Sequence, residues 1–114
     1  MGIRSISLLF VLNGNSLKEK NAESGVLAAI MDFILGYPAD DIAYIGLFMV
    51  DMGFQKKSTG SQIIMECAEC LRTLGFRSIR LGVGMDNPQS NAFWKKNRFC
   101  AIGQGKYILM ELAL

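Results

Sequence analysis

Residues 44–74 constrain what this chain can fold into more than any other stretch. Tyr44 to Asp51 is an apolar run carrying aromatic and β-branched residues, short enough for one buried strand. Met52 to Gly60 turns polar and cationic, with small residues that let a backbone approach a ligand closely. From Ser61 onward, Ile63, Ile64, Cys67, Cys70, Leu71 and Leu74 recur at helical spacing, with Gln62, Glu66, Glu69 and Arg72 mostly on other faces. Gly75 supplies a helix stop. A strand that enters a helix through a small-residue loop aims unpaired backbone N–H groups and a positive dipole end at one point. Such a point suits a phosphate or pyrophosphate.

The remainder of the chain sets the limits on this reading. With 114 residues it is long enough for one domain with a substantial core. Apolar residues make up 51%, a slight surplus that suggests apolar surface meant for a partner. No apolar run approaches the roughly 18 residues of a membrane span, and the start carries no signal-peptide layout. Twelve basic against ten acidic residues give a net charge of +2, which argues against nucleic acid as a partner. Cys67, Cys70 and Cys100 are odd in number and read as reduced core thiols of a cytoplasmic protein. Cys67 and Cys70 have CxxC spacing, but the chain has no histidine and one further cysteine, so no metal site is expected. Gly82 and Gly84 resemble part of a dinucleotide fingerprint, but the third glycine is replaced by Asn87.

Read in order, Arg4 to Asn13 is a strand and Gly14 to Ser24 a polar, exposed connection. Gly25 to Tyr37 is apolar except for Asp32; the bracketing Gly25, Gly36 and Pro38 favour a return strand over a helix. Pro38 to Asp41 turns the chain into a third strand, Ile42 to Asp51, completing an antiparallel meander. After the helix, Phe76 to Gly84 is a strand, and Asp86, Asn87 and Pro88 open a second helix running to about Asn97. Phe99 to Ile102 and Lys106 to Leu112 form a final hairpin. The expected order is β-β-β-α-β-α-β-β.

Two segments of this order resemble the motifs of the GNAT N-acetyltransferase superfamily. Val50 to Ser61 resembles its acetyl-CoA-binding motif: a valine ending a strand, then Arg or Gln, two residues, Gly, one residue, and Gly or Ala opening a helix. Gln55 and Gly60 match, and Ser58 stands where the first glycine is usual. Asn87 to Phe99 resembles the superfamily's later segment, in which an asparagine precedes an aromatic residue, a lysine and Gly-Phe; Trp94, Lys96 and Phe99 match, and Arg98 replaces the glycine. The likeness covers roughly residues 25–112. It implies an α/β (α+β) acyl-CoA N-acyltransferase fold, with a mixed, mostly antiparallel sheet and two main helices. It also implies a single domain over residues 1–114 lacking the strand and helices that family members carry before the meander.

The resemblance further implies an enzyme that moves an acetyl group from acetyl-CoA to an amine acceptor, whose identity the sequence leaves open. By position, backbone N–H groups from Gln55 to Ser61 (Gln55, Lys56, Lys57, Ser58, Thr59, Gly60, Ser61) would take the pyrophosphate, with Lys56 and Lys57 adding positive charge. Phe48, Met49 and Val50 would pair with the pantetheine arm where the strand splays from its neighbour, and Asn87 would hydrogen-bond the cofactor. The proton donor of the later segment is often a tyrosine; Trp94 stands there, and Asp40, Asp41 and Asp51 are the carboxylates near the cleft strand, none placed as a base. No catalytic residue is assigned. The alternative is a non-catalytic CoA-binding or protein-interaction module built on the same fold. Lys95, Lys96 and Arg98 read as a solvated helix face, or as attraction for the cofactor's 3′-phosphate. Without leading elements to cover it, the first hairpin, with Ile6, Leu8, Phe10, Leu27, Ile30 and Phe33, is more apolar than a half-exposed one should be, which predicts a homodimer.

Overall fold

The computed structural model describes residues 2–13, 16–19, 26–55 and 58–114. Its strands are β1 (Arg4–Asn13), β2 (Ser16–Glu19), β3 (Val26–Leu35), β4 (Ile42–Val50), β5 (Ser78–Gly84), β6 (Cys100–Gln104) and β7 (Tyr107–Ala113). Helix α1 (Thr59–Thr73) joins β4 to β5, and α2 (Pro88–Lys96) joins β5 to β6. The expected order holds, with one short strand added: β2 lies inside the segment read as a plain connection. It pairs with the end of β1, from Phe10↔Glu19 to Asn13↔Ser16.

The strands form one sheet in the order β2-β1-β3-β4-β5-β7-β6. All neighbours are antiparallel except β4 and β5, which are parallel because α1 carries the chain back across the sheet. Met31 and Phe33 on β3, Ala43 and Ile45 on β4, and Ile79 and Leu81 on β5 are all buried in one cluster with α1, Trp94 and Phe99. Both helices therefore cover the same face. Strand alternation then turns Asp32, Ile34, Tyr44 and Arg80 to the other face, which is open enough to leave Leu9 and Leu47 exposed.

Helix α1 begins two residues before the expected Ser61 and buries Gly60, Ile63, Ile64, Cys67, Ala68 and Leu71. Cys70 and Leu74, expected on that face, are exposed instead, and Ala68 takes the inner place. At 100° per residue, positions 60, 63, 64, 67, 68 and 71 make one stripe with 70 at its margin, and Leu74 is the C-cap, past the last helical residue Thr73. Of the three cysteines only Cys67 is buried, its Sγ 4.0 Å from Met31 Sδ; Cys100 lies exposed on β6, and none is disulfide-bonded.

Both helices end in the same way. Phe76 N–H donates to Leu71 O and Gly75 N–H to Arg72 O, with Gly75 at φ +94°. Phe99 N–H donates to Trp94 O and Arg98 N–H to Lys95 O, with Arg98 at φ +71°. These are two Schellman ends, one with the glycine this geometry favours and one with arginine in its place. Among the described residues, no helix is long and apolar enough to cross a membrane.

Candidate active site at the parting of two strands

The site originates in a short parallel ladder. Strands β4 and β5 pair only at Ile42↔Ser78, Ala43↔Ile79 and Tyr44↔Arg80. Beyond Tyr44 they separate, leaving the β5-facing backbone of β4 unpaired by β5 up to Val50. The cause lies on the other flank of β4. Asp32 pairs with Leu47 and Phe33 with Ile45, so Gly46 is an extra residue, a bulge that bends β4 away from β5. A lone glycine within an apolar strand pattern is the signal that points to such a bulge.

Past Val50 the chain makes a short turn, Met52–Phe54, capped by Asp51, whose Oδ1 accepts from Gly53 N–H at 2.9 Å. Asp51 is thereby committed to a structural contact, and Asp41 is paired with Arg77 at 3.0 Å. Gln55 donates from Nε2 to Val50 O at 3.0 Å, closing the loop back onto the strand end. Ser58 then enters α1 in the left-handed region, φ +63° and ψ +8°, with no side-chain capping bond. The first-turn N–H groups of α1 are consequently left without a side-chain cap, facing the opening between the strands.

A cleft of about 430 Å³ fills this opening. Phe48 and Val50 of β4, Gln55, Ser58, and Gly60 and Ser61 of α1 line one side; Gln89, Ser90, Ala92, Phe93, Trp94 and Lys96 of α2 line the other. Among the residues expected to hold a cofactor, the fold thus gathers Phe48, Val50, Gln55, Ser58, Gly60 and Ser61. Met49 is 59% exposed and lies between two cleft-lining neighbours, so its side chain turns to the opposite face. Thr59 and Asn87 are not on the cleft wall. The Asn87 carboxamide oxygen accepts from Ser90 N–H at 3.1 Å as the N-cap of α2. Lys56 and Lys57 lie outside the described residues.

Residues of α2 complete the wall, among them Lys96, read from the sequence as a solvated face or as attraction for the cofactor. Gln89, Ala92, Phe93 and Lys96 stand at i, i+3, i+4 and i+7, a single helical face that was visible in the spacing. Lys96 brings a cation to the cleft, and Asn91 ties the start of α2 to the strand end by donating to Gly84 O at 3.2 Å and Asn87 O at 2.8 Å. Gly60 has a defined steric role: a Cβ there would meet Phe93 Cε1 at 3.0 Å and Cζ at 3.1 Å. Its missing side chain lets α1 close against α2. Trp94 is buried between Phe48 (5.8 Å between centroids), Phe93 (4.9 Å) and Phe99 (5.0 Å), packed as core rather than poised as a proton donor. Among the described residues, no group of three or more His, Cys, Asp or Glu is placed to hold a metal ion.

A family model described as the acetyltransferase (GNAT) family matches residues 14–99. No curated protein matches the chain in sequence. Among solved structures, an acetyltransferase from Thermus thermophilus superposes with a TM-score of 0.77 at 22% identity, over 97% of this chain and 65% of that one. The PaiA N-acetyltransferase of Thermoplasma acidophilum, solved in complex with coenzyme A, gives 0.72 at 20% identity, over 96% and 62%. A Bacillus subtilis acetyltransferase in complex with CoA gives 0.65 at 18%, over 86% and 75%. The chain thus spans somewhat under two thirds of the length of the first two, and at these identities the likeness is one of fold.

Proposed function

Because the chain belongs to the acetyltransferase (GNAT) family, we propose that it transfers an acetyl group from acetyl-CoA to an amine, with the cofactor seated in the cleft between β4, the start of α1 and α2. The observation that carries this reading is the fork itself: β4 keeps an unpaired edge from Ile45 onward, and that edge leads to the uncapped first turn of α1. An edge of alternating N–H and C=O groups suits the two amides of a pantetheine arm, with Phe48 to Val50 as its partners. The N–H groups of Thr59, Gly60 and Ser61, with the positive end of the helix dipole, suit the pyrophosphate. Lys96 lines the same cleft and adds charge, and Gln55 and Ser58 line it at the loop end. With its oxygen committed to Ser90, Asn87 has only its NH₂ to offer the cofactor.

Acetyl-CoA supplies the activated acyl group; the chain's part is to hold it still and in line with the amine, which alone can supply a large fraction of the rate enhancement. The buried setting of Trp94 favours such catalysis by positioning over proton donation from α2. A cytoplasmic setting fits three cysteines without disulfides. We also propose a homodimer. Only the end of β1, from Phe10, is paired with β2, so Arg4 to Leu9 present an unpaired edge among the described residues.

The test uses Ser61, in the first turn of α1. Ser61→Asp places a negative charge where the dipole favours it, so the fold should keep its thermal midpoint. The same charge opposes a pyrophosphate, so calorimetry should show acetyl-CoA binding weakened about tenfold or more. Unchanged affinity in a folded Ser61→Asp protein would remove this placement. Acetyl-CoA binding without turnover of any amine would leave the non-catalytic module as the better account.

A further inference from the structure

The unpaired edge of β4 has an inner end, and Tyr44 stands at it. Tyr44↔Arg80 is the last register pair of β4 and β5, and both strands run on from it in the same direction, into the fork. The Tyr44 hydroxyl does not stay over its register partner. It lies 3.2 Å from where a Cβ of Gly82 would stand, two residues further along β5, so the side chain leans forward across the start of the opening. A side chain at position 82 would crowd the phenol, and glycine leaves it room. Tyr37, in the connection before β4, packs edge-on against the ring, with 5.5 Å between centroids and 79° between planes, and holds it in that pose.

The inner end of the fork is thereby closed ahead and toward both faces of the sheet. Ahead, the backbones of Tyr44 and Arg80 are paired. Toward the helices stand Ile45, Leu81 and Val83, 5%, 3% and 4% exposed and part of the core cluster. Such an interior is close-packed and takes a further group only by moving its neighbours. Toward the open face lies the phenol, with Tyr107 Cβ beside it, 3.7 Å from the same point above Gly82. Of these walls the phenol alone is a single side chain standing clear of the core.

With the pyrophosphate at the first turn of α1, a pantetheine arm runs from Val50 back along β4 toward Ile45, and the acyl group is the part that comes nearest to this closed end. We propose that Tyr44 is a specificity-determining residue that limits the acyl donor to a short chain, by standing where further carbons would go. Acetyl ends ahead of the phenol; a longer acyl group must displace the ring from its contact with Tyr37 or fold back on the arm. The inference rests on the cofactor seating proposed above. It adds the acyl-chain length that the seating accepts, and names the residue that sets it.

The test is calorimetric titration of the whole chain with CoA, acetyl-CoA and butanoyl-CoA, which needs no acceptor. The unaltered protein should bind butanoyl-CoA about tenfold more weakly than acetyl-CoA, the effect of overfilling a packed site. In Tyr44→Ala the order should level or reverse, because added methylenes that find room favour binding. Tyr44→Phe keeps the ring and should keep most of the discrimination; Tyr44→Leu gives the same reading as alanine where the alanine protein does not fold. A substitution that merely loosened the fold would weaken all three ligands alike and leave their ratio unchanged. Equal affinity for acetyl-CoA and butanoyl-CoA in the unaltered protein, or a ratio indifferent to the loss of the ring, overturns the acyl limit while the cofactor seating stands. An unaltered protein that binds none of the three, free CoA included, overturns the seating and the limit with it.

Discussion

Ser58 and Arg98 are the non-glycine residues with positive φ among those described, at +63° and +71°. They are also the two positions at which the chain departs from the glycines of the motifs it resembles. The family pattern and the backbone therefore agree on where a left-handed residue is required, and the sequence supplies a Cβ at both. Each should cost about 1 kcal/mol relative to glycine. Ser58→Gly and Arg98→Gly should each raise the thermal midpoint by roughly 4–8 °C if the full amount is recovered. Calorimetric scans of both variants check this; a lowered midpoint in either would mean that its side chain makes compensating contacts. Asp32 shows the limit of reading residues singly. In the sequence it is one polar interruption of an apolar run, and only the burial of Met31 and Phe33 on either side shows which face it takes.

At the scale of elements, the cross-strand pair Arg80–Glu111 joins β5 to β7 on the open face. The two side chains are 23% and 25% exposed, with Arg80 Nε donating to Glu111 Oε2 at 2.7 Å. The Arg80 guanidinium holds the Glu111 carboxyl below its ordinary value of 4.5, against the opposing effect of burial. A lowered carboxyl pKa in the fold means stability that is complete above the unfolded value and lost as pH falls through the folded one. Glu111→Gln should accordingly cost about 1.5–3 kcal/mol at pH 7, the worth of a hydrogen bond to a charged group. The deficit should shrink progressively once the pH drops below about 4.5. Urea unfolding of both proteins at pH 7 and pH 3 reads this directly, and a deficit unchanged at pH 3 would assign the loss to packing rather than charge.

For the whole molecule, the predicted self-association now rests on different residues. Phe10 and Phe33, counted toward an apolar surface, are 5% and 3% exposed in the core, whereas Ile6 and Leu27 are 36% and 45% exposed. What remains is an edge more than a face: Arg4 to Leu9, open beside the short β2. Two copies pairing there antiparallel across a two-fold axis would satisfy those backbone groups mutually. Sedimentation at micromolar concentration should give about twice the 12.6 kDa chain mass. Ile6→Lys, which charges the edge, should weaken association about tenfold or more. A single species of 12.6 kDa for the unaltered protein would exclude the dimer.

The succession of strands, the two helices and the loop that opens α1 were legible because each depends on local properties: apolar runs of limited length, helical periodicity, and Gly or Pro at the ends. Strand β2 was not legible, since its four residues, Ser16 to Glu19, form a strand only by pairing with β1. The cleft was legible in half. The motif marked the β4–α1 side and left Lys96 open between solvent and cofactor, and tertiary packing supplied Gln89, Ser90 and Ala92 from a helix whose inward face depends on where Gly60 lets it settle. The fork, too, belongs to the folded state. Gly46 was visible as a residue, but a bulge exists only relative to a partner strand, and Asp32, Phe33 and the register of β3 decide it. The sequence by itself determined which segments are strand, loop and helix, because those preferences act over a few residues. Which faces meet and where two strands part were decided by contacts between residues far apart in the chain.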